Sequence, residues 1–149
     1  MSNSLPPIAR LAPLLPQLVL TFQRRAGELP AALRDAGRLG QRHVAVLVML
    51  GVGGPLSVSD LAQRAGMTVA HASLVVGELA KAGLVERDHD PADRRRILVS
   101  LSATAQPAVA KMRERQAEPV LRFLSELSAD EAETFIAQLS RLLGLLQDG

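Results

Sequence analysis

The 149-residue chain is 48% hydrophobic and 21% charged, with a formal net charge of +2, a composition that builds a folded core and excludes disorder as the default state. It has no cysteine and its only aromatic residues are three Phe, so disulfides, thiolate nucleophiles, Cys-ligated zinc and thiol redox sensing are excluded and the core must be aliphatic. Basic residues outnumber acidic ones over 1–104 and the reverse holds over 105–149, so the front of the chain suits a polyanion better than the rear.

In chain order, residues 1–10 read as a flexible arm, and 11–149 as a single domain. Leu11, Leu14, Leu15, Leu18, Val19 and Phe22 recur at three- and four-residue steps, which predicts an amphipathic helix over 11–26 interrupted early by Pro16. A second helical region starts near Pro30, weakens at Gly37 and Gly40, and becomes strongly apolar over 44–50 before the stop signal GVGGP. That apolar run is far short of the ~20 residues that span a bilayer. The proline-broken start (Pro6, Pro7, Pro13, Pro16) also lacks a basic stretch leading into an apolar one, so the chain reads as cytoplasmic, neither secreted nor membrane-embedded.

Ser57 and Asp60 have the spacing of a capping box and predict a short helix from Val58 to Ala65. Gly66 supplies a turn, Thr68 caps a further helix through Ala82, and Gly83 ends it. The pattern then switches to LVERD, the turn-rich HDPAD and the alternating RRRILVSL, which together predict a two-stranded hairpin. Helix returns from Thr104 to about Leu127, with Pro107 in its first turn and a kink expected at Pro119. Ser128 and Glu131 form a second capping box at the start of the last helix. The fold class is mainly α with a small β-hairpin wing: a winged helix-turn-helix over about 42–101, flanked by helices over about 11–26 and 104–147.

Helix, three-residue turn, helix and hairpin in this order have a physical use. The second helix fits the ~12 Å major groove of duplex DNA while the hairpin reaches the neighbouring backbone or minor groove. The stretch LSVSDLAQRAGMTVAHASLVVGELAKAGLVERDHDPADRRRILVSLS, above all its DPADRR wing with Asp93, Arg94 and Arg95 before alternating apolar residues, resembles the MarR family of transcription regulators. The close match covers roughly 42–105. The resemblance implies a homodimer, its flanking helices interlocking through the stripe Leu139, Leu142, Leu143 and Leu146. It also implies a double-stranded DNA operator, repression, and a small lipophilic or phenolic effector held between the dimer helices and the winged unit.

On the second helix of the pair, Ala72, Val75, Val76 and Leu79 share an inward face, leaving Val69, Ala70, His71, Ser73, Leu74 and Lys81 outward. The candidate DNA-facing set is Ser57, Thr68, Ala70, His71, Ser73, Leu74, Arg94, Arg95 and Arg96, with Arg95 first by resemblance as the minor-groove residue. Leu74 stands where relatives carry polar or basic residues and suits a thymine methyl. Gly77 costs its helix about 1 kcal/mol relative to alanine. At least one wing arginine is expected to pair with Asp90 or Asp93, and Asp93 to brace the wing.

The effector pocket is expected to draw on 11–22, 38–47 and 107–115, with Leu15, Val19, Arg42, His43 and Met112 as its named residues. His43 and His89 lack a ligand at helical spacing, so no metal site is expected. No phosphate loop or nucleophile–base pair occurs, so neither a cofactor nor an enzyme is expected. All three Phe lie outside the winged unit, which argues against a base-stacking RNA or single-strand binder. The apolar Leu74 face motivates an alternative, a winged-helix module that docks on protein.

Overall fold

The computed structural model describes residues 6–26 and 29–148. Its helices and strands, in chain order, begin with α1 (Pro7–Leu11), α2 (Leu14–Ala26), α3 (Ala31–Arg34) and α4 (Gln41–Gly53). β1 (Leu56–Ser57), α5 (Val58–Ala65), α6 (Val69–Lys81), β2 (Val85–His89) and β3 (Ile97–Leu101) follow, then α7 (Ala105–Ser125) and α8 (Ala129–Gln147). The mainly helical fold with a hairpin wing is the one expected. The strands add one feature, an antiparallel sheet in the order β1-β3-β2 rather than a lone hairpin. Leu56 pairs with Val99 and Ser57 with Leu98. Two residues are too few to show a period, so this strand left no mark in the sequence pattern.

Local chemistry explains the helix-turn-helix. Ser57 Oγ accepts the amide of Asp60 at 3.1 Å, and Thr68 Oγ1 accepts that of His71 at 3.2 Å, each satisfying a donor that the first turn leaves free. Between them Gly66 adopts φ 60°, ψ 40° and ends α5, a left-handed conformation costly for most side chains. The second capping box also forms: the Ser128 amide donates to Glu131 Oε2 at 2.8 Å and the Glu131 amide to Ser128 Oγ at 3.2 Å.

The structure corrects the reading of the amino-terminal third. Residues 1–5 of the expected arm lie outside the described residues, but helix begins at Pro7, which takes the first helical position where a missing N–H costs nothing. The break falls at Ala12–Pro13, and Pro16 sits harmlessly in the first turn of α2. The region after Pro30 is two helices, parted by a stretch in which Gly37 has φ 140°. Pro119 lies inside α7 without ending it.

The core gathers Leu33, Val46, Leu47, Leu50, Leu61, Val75, Val76, Leu79, Val99, Val109 and Met112, all aliphatic or thioether side chains as the composition requires. Helix α4 runs through its middle, touching α5, α6, β3 and α7. It meets α7 closely at Gly51, where an added Cβ would lie 2.8 Å from Val109 Cγ1 and where Arg113 Nη1 donates to the Gly51 carbonyl at 2.6 Å. The outer helices differ. No residue of α8 is buried, and Leu14, Leu18, Leu20, Leu139, Leu143 and Leu146 are all at least half exposed.

Gly51→Val should therefore force the buried Val109 and α4 apart and lower stability by about 2 kcal/mol, in the range of overpacked cores. Chemical denaturation at fixed chain concentration reads this directly. An unchanged midpoint would contradict the close approach of α4 and α7.

Candidate nucleic-acid interface

Helix α6 divides as its sequence predicts: Ala72, Val75, Val76 and Leu79 are buried. Opposite them, Thr68, Ala70 and Ser73 are exposed, and so are Val69 (54%) and Leu74 (61%). Such large apolar exposure on a helix anchored this firmly in the core is the most distinctive property of the face.

Two ties join α6 to the first turn of α4. A guanidinium nitrogen of Arg42 lies 2.5 Å from Nδ1 and 3.0 Å from Nε2 of His71, so the histidine offers it an acceptor, because arginine only donates. His43 Nδ1 accepts the amide of Gly40 at 3.1 Å and its Nε2 lies 2.6 Å from Glu78 Oε2. This combination places the proton on Nε2, which donates to the carboxylate. Arg42 and His43 were expected in the effector pocket. They instead border a cleft of about 520 Å³ against α6, shared with His71, Leu74 and Glu78. Helix phase explains this placement: they sit in the first turn, on the side facing α6.

The wing tip is held by its acidic and histidine side chains acting on backbone. Asp90 Oδ1 accepts the Ala92 amide at 2.9 Å, Asp93 Oδ1 accepts the Arg95 amide at 3.0 Å, and His89 Nδ1 donates to the Arg94 carbonyl at 2.8 Å. The expected arginine pairing with Asp90 or Asp93 does not occur. Arg96 folds back instead onto the Asp60 carboxylate of α5 and donates to Ser57 Oγ at 3.2 Å. Ser57 is itself buried and its hydroxyl donates to Asp60 at 2.8 Å. Ser57 and Arg96 thus form an anchor between wing and helix-turn-helix, in which Ser57 is withdrawn from the surface while the paired Arg96 side chain stays 47% exposed. Arg94 and Arg95 remain exposed, outside every ion pair of the described residues.

The Ser57 hydroxyl, and after it the charge of Arg96, hold the Asp60 carboxyl below its ordinary 3.8 against the opposing effect of desolvation. One cation escaped the sequence reading. Arg87 of β2 brings its guanidinium to 3.6 Å from where a Gly77 Cβ would stand, an ordinary van der Waals distance that places this cation beside the outward face of α6.

A second cleft, of about 510 Å³, lies between α2, α4 and α7 and is lined mainly by Phe22, Leu29, Leu39, Val44, Val48 and Met49, with Gln23, Gln41 and Gln116 at its polar positions. None of the five named pocket residues lines it. Leu15 and Val19 are exposed two turns and one turn before Phe22 on α2, and Met112 turns into the core. Among the described residues there is no group of His, Asp and Glu able to hold a metal ion, and no helix is long and apolar enough to cross a membrane.

A family model described as the MarR family matches residues 39–97. The HTH-type transcriptional regulator YfiV of Bacillus subtilis is 31% identical over 103 residues, 69% of this chain and 64% of that protein, so the match spans just under two thirds of the relative. Among solved structures, S. aureus MepR in its DNA-binding conformation superposes with a TM-score of 0.73 at 20% identity, covering 91% of this chain and 97% of MepR. NadR in complex with 4-hydroxyphenylacetate superposes with a TM-score of 0.66 at 22% identity, covering 99% and 96%.

The Arg96–Asp60–Ser57 anchor has a testable consequence. Asp60→Asn should speed hydrogen exchange at the tip amides of Asp90 and Arg96, while the amides of α6 keep their protection. Acid should do the same to the unsubstituted protein. Because the folded carboxyl titrates below 3.8, its stabilisation is complete above that pH and is lost as pH falls through the lower folded value. Equal exchange in both proteins would show that the wing is held by other means.

Proposed function

We propose that the chain, whose winged helix-turn-helix unit over residues 39–97 matches the MarR family model, is a MarR-family protein and a homodimeric, sequence-specific regulator of transcription. It acts as a cytoplasmic repressor that binds a double-stranded operator and responds to a small lipophilic or phenolic effector. One observation carries the reading: a braced wing holds out two arginines without ion-pair partners, Arg94 and Arg95, beside a helix whose outward face is open. Phosphate contacts from such cations supply much of the affinity, and α6 in the major groove supplies selection.

Dimerisation accounts for the outer helices. Helices α2 and α8 bear apolar side chains that nothing in the described chain covers. A second copy burying them sets two α6 helices one turn of DNA, ~34 Å, apart. The cleft between α2, α4 and α7 has the size and apolar lining of a small-molecule site, and the similar NadR fold holds 4-hydroxyphenylacetate. An effector there biases the spacing of the two winged units.

The exposure of Leu74 (61%) favours a second reading, docking on a protein partner. Fluorescence anisotropy against a duplex from the chain's own promoter region separates the two. The regulator reading requires salt-sensitive binding, and absence of binding to any duplex at low salt leaves the docking reading. Arg95→Ala should weaken binding roughly tenfold, about 1.4 kcal/mol. It should also reduce the salt slope by about 0.9, because one phosphate fewer is neutralised, with melting unchanged. Leu143→Glu should turn the dimer into a monomer in sedimentation velocity; a persistent dimer would contradict the interface.

A further inference from the structure

We propose that this chain selects its operator chiefly through thymine methyl groups, read by the apolar patch Val69, Ala70 and Leu74 rather than by hydrogen-bonding side chains. The inference rests on the duplex-binding reading above and names what that binding recognises. In the major groove, thymine differs from every other base by the C5 methyl it presents, which apolar side chains contact, whereas guanine and adenine are read by Arg, Lys, Asn or Gln in bidentate pairs. The first turns of a recognition helix are the ones that reach base edges, and here they hold none of those four residues.

The polar groups near the face are otherwise engaged or badly placed. His71 is held by Arg42. The Thr68 hydroxyl caps the helix. Glu78 is tied to His43 and carries the wrong charge for a phosphate-lined groove. Lys81 stands in the last turn, and Ser73 has one short hydroxyl that any base satisfies. Left outward in the first two turns are Val69, at 54% exposure, and Leu74, at 61%, with Ala70 beside them. Their apolar area stays in water in the described chain, and a groove surface of methyl groups removes it. One turn further on, the Arg87 guanidinium lies 3.6 Å from where a Gly77 Cβ would stand, so the apolar patch is bordered by a cation suited to a phosphate. The half-site should accordingly carry adjacent thymines where Leu74 and the Val69–Ala70 pair enter.

The test starts from duplexes enriched from a random-sequence library by the full-length protein. The best of them is then remade with deoxyuridine for thymine, which keeps every hydrogen-bonding group and removes only the methyl. The unsubstituted protein should bind the uracil duplex at least tenfold more weakly, at roughly fourfold for each contacted methyl. Leu74→Ala should bind the two duplexes with a much reduced difference and the same salt slope, and Leu74→Met should restore the difference. Equal affinity of the unsubstituted protein for the two duplexes overturns the proposal while leaving duplex binding intact. So does a thymine-to-uracil loss that persists undiminished in Leu74→Ala, which assigns it to DNA shape instead. Failure to enrich any duplex overturns the regulator reading itself, before uracil is introduced.

Discussion

Burial of Val46, Leu47 and Leu50 makes α4 the strut on which the rest of the molecule is set. Its far end meets α7 at Gly51, too closely for any side chain there, and so fixes the winged unit to the helix that leads out of it. Its near end clasps α6 through Arg42–His71 and His43–Glu78. Between these ends its flank lines the apolar cleft, and Gly40 and Gln41 border both that cleft and the one against α6. A change of shape in the first turn of α4 is therefore felt on both sides. This is the physical route by which a molecule bound in the cleft would reach α6, the helix proposed to face DNA.

The wing shows how neighbouring identical residues acquire different work. Arg96 lies next to β3 and is within reach of α5, so its guanidinium closes the Ser57–Asp60 cap into a three-residue anchor. Arg94 and Arg95 lie on the tip, where Asp93 and His89 hold the main chain and leave both guanidinium groups outward. A tip fixed by its own backbone presents charge with little ordering left to be done on binding.

What the sequence made legible was local. Both capping serines, Thr68, the turn at Gly66, the hairpin and the inward face of α6 follow from residues within four positions of each other, where side-chain chemistry acts on its own backbone. What escaped was set by packing. Asp60 and Arg96 are 36 positions apart, and the nearer Asp90 and Asp93 were the natural guess until the backbone amides of Ala92 and Arg95 claimed them. Which residues line the apolar cleft is set in the same way. Resemblance supplied the segments, but position along α2 puts Phe22 rather than Val19 at this cleft, and the phase of α4 puts Val44 there rather than Arg42. Arg87 beside Gly77 escaped for the same reason, since it comes from another element.

Together α4, α6 and the wing hold out an apolar surface and a pair of cations, which the proposed dimer would present twice to one duplex. Hydroxyl-radical footprinting on the DNA upstream of its gene tests that claim most directly. The account predicts two protected patches related by a dyad, their centres about 10 base pairs apart or a multiple of it, and both abolished together when the dimer is broken. Uniform cleavage along the duplex, or a single patch without its symmetry mate, would contradict it.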